Sequence, residues 1–283
     1  MRKEIIKETD YQNVDRPLNR FNQFFDILKH RFLELIKISL LQTVFNMPLI
    51  CTIIIFYVAL RNSKDINSLM TIFLVLGGSM LIALPFTYVG MTGSFYCLKK
   101  LAHAEGEFAA SSYFIGLKEN YKSGLFIGFL MGISACIAII GFFFLYFYLG
   151  QFDKWISGFG IAIVAIQFIV MLMVSFHSIS QVELYSNKMR YVYKNSFLLT
   201  LVRFPIDLLL VILYPGIIIA LFCIMEVTMF VGIGLLVFFS IIGQLMWAML
   251  TIHVFDLFIN KEQYPEIYRK GLKTIEVVKN KED

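Results

Sequence analysis

Residues 124–149 read GLFIGFLMGISACIAIIGFFFLYFYL, a run without a single Asp, Glu, Lys, Arg or His. A helix rising ~1.5 Å per residue needs ~20 apolar residues to cross a hydrocarbon core of ~30 Å, so this run is long enough to span a bilayer. Working outward from it, comparable runs lie at 38–60, 68–98, 157–184, 197–224 and 228–258, separated by polar breaks. With 58% hydrophobic residues, 16% charged residues and a mean hydropathy of +0.74, a chain of 283 residues carries more apolar surface than a soluble domain buries. The expected fold class is all-α: a polytopic transmembrane helical bundle of about six spans over residues 21–260. A polar N-terminal tail precedes it at 1–20, and a C-terminal helix or tail follows at 261–283.

The breaks after the first, third and fifth runs hold only Arg61, Lys64 and Lys154 as basic residues, and the other Lys and Arg lie in the remaining segments. Basic residues resist translocation, so the rich side is expected in the cytoplasm together with both termini. The first 37 residues show no basic start running into a short apolar core, and no cleaved signal peptide is expected. The net charge of +5 flanks apolar runs instead of forming a basic domain, which points to membrane lipids as its partner and not to nucleic acid. Cys51, Cys97, Cys136 and Cys223 sit far apart inside apolar runs, as small hydrophobes do, and no metal or cofactor site is expected.

Phe21, Phe25, Leu28 and Phe32 recur at helical spacing just before the first span, with Asp26, Lys29 and Arg31 between them. The entry Phe25-x-x-Leu28-Lys29-x-x-Phe32 recurs as Phe114-x-x-Leu117-Lys118-x-x-Tyr121, and more loosely as Tyr193-Lys194-x-x-Phe197. This pattern predicts three units, each an interfacial elbow helix followed by a helical hairpin. Tyr264, Ile267, Tyr268, Leu272 and Ile275 predict a further amphipathic helix after the last span.

Residues 84–101, LPFTYVGMTGSFYCLKKL, followed by Gly106-Glu107 and by 114–122, FIGLKENYK, form a distinctive pattern. Weaker elements are Leu18-Asn19-Arg20-Phe21, Lys194-Asn195-Ser196-Phe197 and Val254-Phe255-Asp256. In these stretches the chain resembles the YesL-like family of bacterial membrane proteins. The resemblance implies a multi-pass protein of the bacterial cell membrane, encoded beside carbohydrate ABC importers and acting as an accessory to one. It implies no enzymatic activity and no catalytic residue.

Several residues stand out against this background. Arg203 and Asp207 are four apart around Pro205, and an i, i+4 pair shares one helix side; they either pair with each other as an anchor or line a polar cleft. Glu183, just before the turn into the fifth span, is placed to join them as a Glu183, Arg203, Asp207 cluster. His177 and His253 are single histidines on apolar helices and are read as hydrogen-bonded packing groups, not metal ligands. Gly124, Gly128 and Gly132 recur every fourth residue and predict a face where another helix backbone approaches closely.

The segment 99–123 carries Glu105, Glu107, Lys118, Glu119 and Tyr121, denser in charge and aromatic groups than a connector requires. It is the candidate surface for docking an importer permease or ATPase subunit. No GxSxG, HExxH or P-loop is present, and the function expected is non-catalytic. A stand-alone small-solute transporter or channel, or a membrane-bound regulator using the inner elbows, are the alternatives.

Overall fold

The computed structural model of the protein describes residues 16–63, 65–105, 109–185, 187–218, 226–238 and 240–273. It is an all-helical membrane bundle, with no strand among the described residues. The elements are α1 (Arg20–His30), α2 (Phe32–Asn62), α3 (Ile66–Ala102), α4 (Ala109–Phe143, prolonged by a wider π-type turn Phe144–Leu149) and α5 (Lys154–Leu184). They continue as α6 (Met189–Val202), α7 (Phe204–Val211, prolonged through Ile212–Gly216), α8 (Glu226–Phe238) and α9 (Ser240–Phe255, prolonged to Gln263). Five of these segments, α2, α3, α4, α5 and α9, are long and apolar enough to cross a membrane. The pair α6 and α7, bent by 95°, supplies a sixth passage when taken as one broken span.

Local chemistry explains several boundaries. Asn19 Oδ1 accepts from Asn22 N at 2.8 Å and opens α1, Asp65 accepts from Ser68 N at 3.0 Å and opens α3, and Asp153 accepts from Trp155 N at 2.8 Å and opens α5. A new helix, α7, begins at Phe204 within the run expected as the fifth span, because Pro205 lacks an amide hydrogen and its ring clashes with the preceding turn. The residue at that break, Arg203, has φ −115° and ψ 19°, and Arg31 between α1 and α2 has nearly the same conformation, φ −122° and ψ 21°.

The elbow pattern therefore takes two forms. α1 and α6 are separate short helices set off from the span that follows, whereas Phe114 to Tyr121 are early turns of one unbroken helix, with no proline to interrupt it. The C-terminal segment also departs from expectation. After Gln263 the chain makes a series of turns through residue 272, with Arg269 at φ +52° and Gly271 at φ +83°. Pro265 and the left-handed positions stop helix propagation there. Ile275 and the rest of 274–283, like residues 1–15, lie outside the described residues.

The first and last described segments meet at one end of the bundle, where Pro17 O and Leu18 O accept from Lys273 N at 3.0 Å and Arg269 Nη2 at 2.9 Å. The half of the molecule at this end is tightly packed. In α3, nearly every residue from Thr87 to Ala102 is buried, and Leu35, Ile38, Met173, Ile179, Trp247 and Phe255 are fully enclosed around it. The far half is looser, with Val58, Val75, Trp155, Phe159 and Ile163 exposed to what the apolar composition identifies as lipid.

The glycine face of α4 sits directly on α3. A Cβ at Gly124 would lie 2.9 Å from Tyr88 O, one at Gly128 2.5 Å from Pro85 Cα, and one at Gly132 2.9 Å from Met80 O. These are backbone atoms of the neighbouring helix, so the face packs internally and holds α3 and α4 as a close pair.

Candidate functional site

At the end where the first and last described segments meet, Arg20 of α1 is almost fully buried and acts as a hub. Its Nη2 and Nε donate to Asp256 Oδ2 at 2.8 and 3.1 Å, and Nη1 reaches Gln23 Oε1 at 2.8 Å, Lys270 O at 3.0 Å and Ala102 O at 3.2 Å. Asp256 Oδ1 accepts from Asn260 Nδ2 at 2.8 Å, and Asn260 Oδ1 in turn accepts from the Tyr185 hydroxyl. Gln23 Nε2 adds a bond to Ala102 O at 2.7 Å. One connected network thus ties α1, the end of α3, the end of α5, α9 and the C-terminal turns together. Burial lowers the Arg20 pKa against the pull of Asp256. An arginine stays charged even so, and the pair is a desolvated ion pair in which two guanidinium N–H groups share one carboxylate oxygen.

Beside this hub, His103 is buried at the end of α3. Burial, reinforced by the positive charge of Arg20, lowers its pKa from the ordinary 6.5 to about 4 and favours the neutral imidazole. Glu105 donates its charge to the same corner: Lys270 Nζ stands 2.7 Å from its Oε1. Partial burial pushes the Glu105 pKa up, but the Lys270 hydrogen bond and charge outweigh it, and the net shift is downward. Gly271 at φ +83° lets the C-terminal segment press against Ala102, whose carbonyl would lie 2.2 Å from any Cβ there.

Deeper in the bundle, the three residues expected to cluster divide between separate networks. Asp207 pairs with His177: Oδ2 is 2.8 Å from Nε2, and Thr251 Oγ1 is 3.2 Å from Nδ1. Trp247 packs edge-on against the His177 ring. Glu183 instead accepts from Asn120 Nδ2 at 3.0 Å, and Lys99 Nζ donates to its backbone carbonyl at 2.6 Å. Arg203 caps the start of α7, where its carbonyl accepts from the Asp207 amide at 3.1 Å, but no side-chain hydrogen bond or ion pair joins the two among the described residues, and the Asp207 carboxylate is taken by His177.

The order hydroxyl, imidazole, carboxylate in Thr251, His177 and Asp207 is that of a hydrolytic triad, yet each of the three is 0% exposed. A substrate cannot reach Thr251 in this arrangement, and what the trio does is fasten α5, α7 and α9 to one another. His177 is thus a hydrogen-bonded packing residue. No group of His, Cys, Asp and Glu able to hold a metal occurs among the described residues.

The docking candidates also separate. Glu105 is engaged by Lys270, so it belongs to the corner that binds the C-terminal segment; Glu107 lies outside the described residues. Lys118, Glu119 and Tyr121 are exposed on the first turns of α4, next to the exposed Phe114 and Ile115. Lys122 Nζ lies 5.9 Å from the Tyr121 ring. Gly93 and Gly116 fix this stretch against α3, since a Cβ on Gly93 would be 2.8 Å from Tyr113 O and one on Gly116 2.3 Å from Tyr96 Cβ.

Sequence reading alone misses Arg20 as a functional anchor, and with it Gln23, Asn260 and Tyr185. The signal was present in two short stretches, Leu18-Asn19-Arg20-Phe21 and Val254-Phe255-Asp256, whose partners lie 236 positions apart. Periodicity is blind to such a pairing. No protein-family model, curated protein or solved structure matches the chain.

Proposed function

We propose that the protein is a non-catalytic accessory protein of the bacterial cell membrane, with both termini in the cytoplasm, that docks a subunit of a carbohydrate ABC importer. The observation that carries the reading is the exposed start of α4. There Phe114, Ile115, Lys118, Glu119 and Tyr121 present mixed charge and aromatic surface on a helix whose other side is clamped to α3. α4 and its final turn run for 41 residues, about 60 Å against a hydrocarbon core of about 30 Å, so a straight helix projects well beyond the membrane. A rigid projecting helix with an aromatic centre and charged rim has the make-up of a protein interface.

The resemblance to YesL-like proteins supplies the importer as partner, and the excess of Lys and Arg on this end supplies the cytoplasmic orientation. A sugar transporter is a poorer reading, because the large cavity in the far half is lined almost wholly by apolar groups, whereas a sugar path needs clustered polar ones.

The test is purification of the tagged protein from its native membrane in mild detergent, with identification of what accompanies it. Importer permease or ATPase subunits are expected with the wild type, and at least tenfold less of them with Lys118→Glu combined with Tyr121→Ala. Recovery of the protein alone, or undiminished recovery of importer subunits with the double variant, contradicts the reading.

A further inference from the structure

The far half of the bundle holds a cleft of about 1180 Å³ between α2, α3, α4, α5, α7 and α8. That exceeds the ~300–1,000 Å³ of ordinary small-molecule pockets. No charged side chain lines it among the described residues. Along α2 it runs from Gln42 to Leu60, a rise of about 27 Å. Its walls are chiefly Leu, Ile, Met and Phe; besides the phenols of Tyr57 and Tyr214, its polar groups gather at one end, where Gln42, Asn46, Thr87 and Tyr88 stand.

Two of these four are already satisfied. Gln42 Oε1 accepts from Ser94 Oγ at 2.7 Å and Gln244 Nε2 at 2.8 Å, and the Tyr88 hydroxyl pairs with Ser175 Oγ at 2.5 Å. The other two are not. Asn46 is 1% exposed and Thr87 8% exposed, and neither Asn46 Oδ1 nor Thr87 Oγ1 has a hydrogen-bond partner among the described residues. Buried polar atoms are normally bonded, so a pair of unpartnered oxygens at the polar end of an apolar cleft marks where a donor is missing.

We propose that this cleft binds a neutral long-chain alcohol: a hydrocarbon or isoprenoid chain along the apolar walls, with its hydroxyl donating to Asn46 Oδ1 or Thr87 Oγ1. A charged head is disfavoured because nothing in the lining neutralises it in a low-dielectric site. A plain hydrocarbon is disfavoured because it leaves both acceptors unpaired. Depth matters too. Asn46 and Thr87 stand near the middle of α2 and α3, so the polar end of the site is deep in the membrane, where an ordinary phospholipid places only the tip of its chains. The site therefore takes the ligand head inward, which suits a small uncharged head. A diacylglycerol and a polyisoprenol share this chemistry.

The probe is a diazirine-bearing hexadecanol, photoactivated with the full-length protein in phospholipid nanodiscs, the labelled residues being located by mass spectrometry. Labelling is expected on residues of the cleft, and to fall at least tenfold in Asn46→Leu and in Ala135→Phe, which fills the space beside the wall of α4. Thr87→Val, close in shape to threonine, gives the same reading if Asn46→Leu does not fold. Displacement by dioleoylglycerol identifies a glyceride source, displacement by a long polyisoprenol an isoprenoid one, and either supports the proposal. Equal labelling in all variants, equally strong labelling by a diazirine fatty acid or phosphatidylglycerol, or failure of both alcohols to displace the probe overturns it.

Discussion

Replacing Gly128 by alanine isolates the contact that holds α3 and α4 together. The new methyl would stand 2.5 Å from Pro85 Cα, 2.8 Å from Leu84 O and 2.9 Å from Pro85 N, whereas ordinary contacts begin at 3.4 Å. Each of these neighbours is backbone, so no side-chain rotation relieves the overlap and the helices must move apart along their shared face. Overpacking of this kind costs ~1–3 kcal/mol, while alanine in place of glycine returns ~1 kcal/mol of helix propensity. A net loss of up to ~2 kcal/mol is expected, and a larger one for Gly128→Leu. Gly78 on α3 is the control, because a Cβ there meets nothing within 4 Å. Gly78→Ala should therefore be neutral or stabilising by up to ~1 kcal/mol. Reversible unfolding in mixed detergent micelles measures both. If Gly128→Ala proves as harmless as Gly78→Ala, the close-packed face is not what holds this pair.

Three further outcomes follow from the same structure. Arg20→Met strands the buried Asp256 carboxylate and should cost about 3–5 kcal/mol, part of which returns in the double variant Arg20→Met with Asp256→Leu; a double-mutant cycle in the same unfolding assay decides it. His103 has a pKa of about 4 in the fold against 6.5 when free, so the unfolded chain takes up the proton first. Stability should then fall by up to about 3 kcal/mol as pH drops from 6.5 towards 4, and His103→Gln should flatten that slope in unfolding measured across the interval. In a cysteine-free background, single cysteines at Asn67 and Asp153 should react with a membrane-impermeant maleimide added outside intact cells, and reaction only after lysis would reverse the orientation.

The membrane class and the long spans are legible in the sequence because a ~20-residue apolar requirement leaves an unmistakable trace. The run 124–149 lies within α4 and its final turn, and the glycines at 124, 128 and 132 announce their close contact by spacing alone. What escapes is set by partners distant in the chain. Asp207 is four residues from Arg203 and its amide bonds the Arg203 carbonyl, but its carboxylate bonds His177, thirty positions away, a partner that only the packing of α5 against α7 supplies. The amphipathic pattern after Gln263 looked helical, yet Pro265 and Gly271 turn the chain back over Arg20 and Ala102. At the second entry, 114–121, the expected separate elbow is instead continuous with its span, because hydrophobic spacing does not say whether a helix stops or continues.

The docking proposal is tested most directly by a photocrosslinking amino acid incorporated at Tyr121 in living cells. With the importer expressed, a crosslink from Tyr121 to a permease or ATPase subunit is expected, and none from Trp155, 90% exposed at the far end of the bundle. No importer crosslink from Tyr121, or equal crosslinking from Trp155, would contradict it.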